Sequence, residues 1–224
     1  MALSKREEKE IQILNSAEKL FASKGYENTK MEDIAEALNI SKGLVYFYYN
    51  SKENLYMAIT YKGMQKMNDL FYSIHYDTQS DSGYDATTKL IEAYVDFLGE
   101  NPFYLELFLN YTRLVRSSNQ KTNQLTEAMK SSIYFRKIKD IHNIPITIFQ
   151  EEILRGQKDH SIDNQVSPNL LYMTIWSIIL GFSQLRSAAS QNNRMTMYKI
   201  DITEWKKYTL KIVKNTLLSK IDKD

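Results

Sequence analysis

The sequence predicts an all-α protein of about nine helices, and three observations carry that prediction. Apolar residues recur at spacings of three and four over most of the 224 residues, the period of a one-sided helix. Only 7 Gly and 3 Pro are present, too few for the many tight turns of an all-β fold. Pairs such as Thr29/Glu32 and Asp201/Glu204 stand three apart ahead of apolar stretches, the pattern of a helix-opening capping box.

Taken in order, Ile13, Leu14, Ala17, Leu20 and Phe21 make one face of a helix over about 7–24. Gly25 supplies a left-handed cap, and Tyr26 folds back on the helix end. Thr29 opens a second helix that buries Met31, Ile34, Ala35 and Leu38. Asn39 tolerates positive φ and makes a tight turn, and Ser41 caps a third helix reaching about 49, with Ile40, Val45 and Tyr49 inward. Ser51 starts a much longer helix with Leu55, Ile59, Met67 and Phe71. Residues 77–83 are a polar loop, and a fifth helix covers about 84–99. Asn101 as cap with Pro102 at the first position opens a helix carrying Phe103, Leu107, Phe108, Tyr111 and Leu114. Residues 116–123 again read as loop. The following helix ends near His142, where Pro145 breaks or kinks the chain. A further stretch reaches Leu154 with Gly156 after it, and 157–166 is a polar loop. Ser167 and Pro168 open a strongly apolar helix through Leu170, Leu171, Ile175, Trp176, Ile178, Ile179 and Leu180. The last helix opens at Asp201 and carries Trp205, Tyr208, Leu210 and Ile212.

Composition narrows the function. With no Cys, disulfides, thiol catalysis and thiolate metal sites are excluded. No apolar run reaches the length that crosses a bilayer, and residues 1–10 are charged with both signs and lack a signal-peptide core, so a soluble cytoplasmic protein is expected. Net charge is only +2, and in residues 1–52 the basic and acidic sets cancel. A case for nucleic acid therefore rests on where charges sit. His75, His142 and His160 are far apart and fall in no metal or triad pattern, and no phosphate loop occurs, so neither enzyme, metal nor cofactor is expected.

Two short helices joined by a turn of about three residues, with a supporting helix before them, form a helix-turn-helix. This places the second short helix in the major groove with its N-terminal residues nearest the bases. The segment 13–59, ILNSAEKLFASKGYENTKMEDIAEALNISKGLVYFYYNSKENLYMAI, closely resembles the DNA-binding region of the tetracycline-repressor (TetR) family. The Phe-Ala run, Lys-Gly-Tyr, Thr, Ile-Ala, Ser-Lys-Gly, an aromatic cluster and Ser-Lys before the fourth helix all occur in order.

The resemblance implies an N-terminal three-helix head over 1–50 and a helical ligand-binding and dimerisation domain over 51–224. It implies DNA contacts from Thr29, Lys30, Ser41, Lys42, Gly43, Leu44, Tyr46, Phe47 and Lys52. Thr29 and Lys30 stand where helix amides favour a phosphate. Ser41 and Lys42 reach phosphate or base edges, Gly43 allows close approach, and Tyr46 bonds a phosphate or packs on a thymine methyl. Two departures bear on base preference: Leu44 stands where the family usually has Thr, and Phe47 where it often has His. Thr29 and Ser51 also read as simple caps, and Lys5, Arg6 and Lys9 as either a solvated end or an arm along the DNA.

The Leu170–Phe182 stretch is apolar on nearly all sides and needs cover on more than one face. The resemblance assigns it, with the last helix, to an intersubunit four-helix bundle of a homodimer through Leu171, Ile175, Ile178, Ile179, Phe182, Trp205, Tyr208 and Ile212; the plain alternative is a buried central helix. In the middle helices Tyr94, Phe97, Phe103, Phe108, Tyr111, Phe135, Phe149, Met173 and Trp176 line an apolar cavity or form plain core. His142 is a pocket anchor or a surface residue. The expected protein is a ligand-responsive regulator that a small hydrophobic or aromatic effector releases from a palindromic double-stranded operator, with the helix from Ser51 as lever. The competing reading is a helical dimeric interaction module with a vestigial DNA head.

Overall fold

Side-chain oxygens set where the helices begin. A computed structural model describes residues 3–117, 125–192 and 200–220, and among these it has eleven helices and no strand. They are α1 (Lys5–Lys24), α2 (Met31–Ala37), α3 (Lys42–Tyr48), α4 (Lys52–Asp77), α5 (Gly83–Glu100), α6 (Pro102–Ser117), α7 (Glu127–Ser131), α8 (Ile133–Ile141), α9 (Ile144–Lys158), α10 (Pro168–Asn192) and α11 (Ile202–Leu218). Ser4, Ser41, Ser51, Ser82, Thr126, Ser167 and Asp201 each accept the amide three residues on, which satisfies one of the free N–H groups at a helix start.

Several expected boundaries move, each for a local reason. Ser4 and Glu7 close a reciprocal capping box, so Lys5, Arg6 and Lys9 lie on the first turns of α1 instead of forming a frayed end or a separate arm. Those bonds to Ser4 hold the Glu7 carboxyl below its usual range. Gly25 has the expected positive φ, 83°, but with an extended ψ of 156°. Asn101 turns its side chain backward: Nδ2 donates to the Phe97 carbonyl at 2.9 Å, capping the end of α5 and not the start of α6. Ser132, in extended backbone, divides the expected single helix into α7 and α8. Pro145 sits in the first turn of α9, where its missing N–H costs nothing, so the break precedes it. Gly156 does not end α9, which continues to Lys158; a Cβ on Gly156 would come within 2.5 Å of the Ile162 side chain and 3.2 Å of the Gly83 backbone. A Cβ on Gly83 would come within 2.0 Å of the Gly156 nitrogen. Most of the loop expected over 116–123 lies outside the described residues.

The chain divides into two compact units, 1–64 with 107–141, and 65–106 with 142–224. In the first, α1 packs on α2 and α2 on α3. Ile13, Ala17, Phe21, Met31, Ile34, Ala35, Val45, Tyr49, Leu55 and Ile59 are its buried apolar centre, while Ile40 is half-buried. Tyr26 does fold back, its ring 5.4 Å from Phe21 and 4.8 Å from Tyr56. Polar ties join α8 and the residue ahead of it to α1 and α4: Tyr134 donates to Glu10 at 3.1 Å, and Ser132 to Asn54 at 2.6 Å.

In the second unit α5 packs against α9, α10 and α11, and α10 against α9 and α11. The loop after α9 caps α5: Gly83 N–H donates to Asp159 and Tyr84 N–H to Ser161. The buried carboxylate Glu152 accepts from His75 at 2.6 Å and pairs with Arg155. Arg155 also donates to the carbonyls of Thr78, Gln79 and Asp81, closing the end of α4. No described helix is long and apolar enough to cross a membrane.

Candidate nucleic-acid interface

The helix pair α2–α3 is turned by Asn39, whose φ is 51°, a conformation Asn tolerates. The amides of Asn39 and Ile40 bond back to Glu36 and Ala35, both at 3.0 Å. Ser41 then starts α3, its Oγ accepting the Leu44 amide at 3.2 Å. Val45 and Tyr49 are buried, which fixes the inward face of this seven-residue helix. Helical geometry therefore presents Ser41, Lys42, Gly43, Tyr46 and Phe47 to solvent, and all five are exposed, Phe47 at 67%. Leu44 is half-buried.

Gly43 is informative because the fold does not demand it. A Cβ there would meet nothing closer than Ser41 Oγ at 4.0 Å. Lys42 forms an ion pair with Glu32 on α2. The hydrogen bond between them holds the Glu32 carboxyl below, and the Lys42 ammonium above, their usual ranges. Lys42 Nζ also lies 5.6 Å from the Tyr46 ring, and the Arg6 guanidinium 5.7 Å from the Phe47 ring.

The remaining expected contacts are placed differently. Thr29 is not the cap of α2 and forms no box with Glu32. It is fully buried, and its hydroxyl faces the carbonyls of Gly25 at 2.9 Å and Leu20 at 3.3 Å, so in this structure it offers no surface to a phosphate. Lys30 is the exposed residue ahead of α2, and its amide donates to Asp33 at 2.9 Å. Lys52 is half-buried; its ammonium lies 4.2 Å from the Tyr26 ring and 3.4 Å from the Glu27 carbonyl. The Glu32 pairing carried no sequence signal, since ten positions separate the two residues across a turn.

The residues expected to line a cavity fall in separate places. In the second unit Tyr94 lies 5.9 Å from Phe71, Phe149 6.2 Å from Phe71, and Trp176 donates to the Tyr94 hydroxyl at 3.2 Å. Burial pushes the Tyr94 phenol up to about 12. Tyr172, 5.8 Å from Phe149, and Phe71 belong to this cluster and were missed by the sequence reading. Phe97 stacks instead on Tyr104. Met173 is 50% exposed on the outer face of α10. In the first unit Tyr111 and Phe135 pair at 5.9 Å, and Phe108 is half-buried. His142 is half-buried as well.

The expected dimer residues divide by their burial within the chain. Leu171, Ile175, Ile179 and Phe182 are buried within their own chain, because that side of α10 faces α5, α9 and α11. Ile178 and Trp205 are half-buried, the latter 4.8 Å from Phe182. Tyr208 and Ile212 do face outward, and so do Leu170, Met173, Leu185 and Leu218, with Leu185 at 62% and Tyr208 at 65%.

The head and its exposed α3 define a helix-turn-helix DNA-binding protein in an all-helical frame. Residues 13–59 match the family model "Bacterial regulatory proteins, tetR family". The chain carries a tetR-family DNA-binding domain over residues 13–59 and is a transcriptional regulator. It is 27% identical over 183 residues to IcaR of Staphylococcus aureus, the negative transcriptional regulator of the biofilm operon icaADBC, covering 80% of this chain and 88% of that one. The Staphylococcus epidermidis IcaR is 23% identical over 173 residues, with 77% and 84% covered. Among solved structures, a TetR/AcrR-family regulator from Thermobifida fusca superposes with a TM-score of 0.69 at 18% identity, over 93% of this chain and 97% of that one. FadR of Bacillus subtilis, solved in complex with stearoyl-CoA, gives 0.63 at 17% identity, over 95% and 99%.

Proposed function

We propose that this regulator is a homodimeric repressor that binds a palindromic operator through residues 1–50 and is released when residues 51–224 take up a small hydrophobic effector. One observation carries the DNA part: α3 turns Ser41, Lys42, Gly43, Tyr46 and Phe47 outward as one surface, while Val45 and Tyr49 anchor it from behind. Lys42 supplies a phosphate contact, Tyr46 a hydroxyl or ring, Gly43 the room for backbone approach, and Phe47 with Leu44 apolar surface for thymine methyls. Lys30 and Lys52 flank it as further cations. Repression is the sense in which the Staphylococcus aureus relative acts.

One head makes few contacts, and two heads on a dimer read half-sites about 34–36 Å apart. The dimer reading is supported by the apolar residues left uncovered on α10 and α11: Leu170, Met173, Leu185, Tyr208, Ile212 and Leu218. Gly181, on the same side of α10 as Leu170 and Ser177, has open space where a side chain would stand, which suits close helix approach. The effector reading rests on the aromatic cluster of Phe71, Tyr94, Phe149, Tyr172 and Trp176, where Tyr94 and Trp176 add polar groups to apolar walls. Effector binding shifts the population toward a dimer whose heads do not fit the operator.

Selection of bound fragments from random duplexes tests this. The expected winner is a palindrome bound by a dimer, with Lys42→Glu abolishing the shift. Failure to enrich any duplex, or normal binding by Lys42→Glu, refutes the DNA reading and leaves an interaction module. Acyl-CoA thioesters, one of which the Bacillus subtilis FadR structure holds, belong in the panel of effectors tested for release.

A further inference from the structure

The free head holds Arg6, Lys42 and Lys52 on partners of its own. Arg6 lies over the Phe47 ring, and Lys52 lies over Tyr26 and beside the Glu27 carbonyl. Those partners are neutral, so each cation keeps its charge for a phosphate. Lys42 is different, because its partner Glu32 is a full carboxylate. Both side chains of that pair are more than half exposed.

The caps of both helices rest on other residues. The N-terminus of α2 is tied by Asp33 to the Lys30 amide, and α3 is capped by Ser41. An exposed ion pair of this kind contributes little to folding. Yet it lies on the surface assigned to the duplex, and a carboxylate there is repelled by the phosphates that Lys42 is to meet.

Resting on the DNA reading above, we propose that Glu32 is a competitor for Lys42: its carboxylate occupies the ammonium in the free protein, and a duplex phosphate must displace it. Glu32 thereby lowers the head's affinity for any duplex, specific or not. This is the local counterpart of a DNA-binding domain whose basic and acidic residues cancel over 1–52.

The test uses the full chain and a short fluorescent duplex of random sequence, titrated between about 50 and 200 mM salt. Glu32→Gln is expected to bind about two- to fivefold more tightly, the range an exposed pair spans. In a Lys42→Gln background, itself weaker with a salt slope shallower by about one, the same change is expected to give a smaller gain. Thermal melting confirms that each variant folds. Weaker binding by Glu32→Gln overturns the proposal, because the pair then survives in the complex and positions Lys42. An equal or larger gain in the Lys42→Gln background also overturns it, because Glu32 then acts by repulsion alone. A wild-type chain that fails to bind any duplex removes the DNA reading itself, whereas wild-type binding with either of the other outcomes removes only the competition.

Discussion

Replacing Gly43 by alanine should move stability and DNA affinity in opposite directions. The new methyl would stand 4.0 Å from Ser41 Oγ with no closer neighbour, on an exposed turn of α3, so nothing in the free protein resists it. Alanine is about 0.8–1.0 kcal/mol better than glycine in a helix interior, and near the start of a seven-residue helix we expect about half of that. For a chain of this size that corresponds to a thermal midpoint higher by about 1–2 °C. Against a duplex the same methyl occupies space that the phosphates or base edges need. Pushing α3 outward lengthens the contacts of Lys42 and Tyr46 together, and a loss of about tenfold in affinity, ~1.4 kcal/mol, is expected. Thermal unfolding by circular dichroism and titration of the selected duplex measure the two effects on one preparation. A more stable variant that binds DNA as well as the parent would refute the placement of Gly43 against the duplex. A destabilised variant would refute the open surface around it.

Arg155→Ala leaves the buried Glu152 carboxylate with His75 alone and strips the carbonyls at the end of α4, so a loss of about 3–5 kcal/mol is expected in urea denaturation. Burial pushes the phenols of Tyr111 and Tyr134 up to about 12, against about 10 in an unfolded chain. Between those values the folded state binds more protons than the unfolded one, so stability should fall as pH rises from about 10 to 12; denaturation midpoints that are constant across that window would contradict the burial. Met173→Glu places a charge on the outward face of α10, and it should yield a helical monomer in size-exclusion chromatography; a retained dimer would move the interface elsewhere.

The sequence by itself determined the helical class, the helix starts at Ser41, Ser51, Ser167 and Asp201, and the head. Local chemistry explains why: a serine or aspartate ahead of an apolar period satisfies free amides wherever it occurs, and the Asn39 turn needs only a residue tolerant of positive φ. The alternation around Val45 and Tyr49 likewise fixed which side of α3 faces out, and so made Ser41, Lys42, Tyr46 and Phe47 legible as a surface. What periodicity does not carry is which neighbour covers an apolar face. Leu171 and Leu170 are equally apolar and adjacent, yet one is core and the other bare, a difference set by where α5, α9 and α11 pack. The same holds for Thr29, whose buried hydroxyl turns to the end of α1, for Gly156, whose backbone Gly83 approaches closely, and for Glu32, whose partner lies across a turn. Those outcomes depend on contacts between segments distant along the chain, and only the tertiary structure decided them.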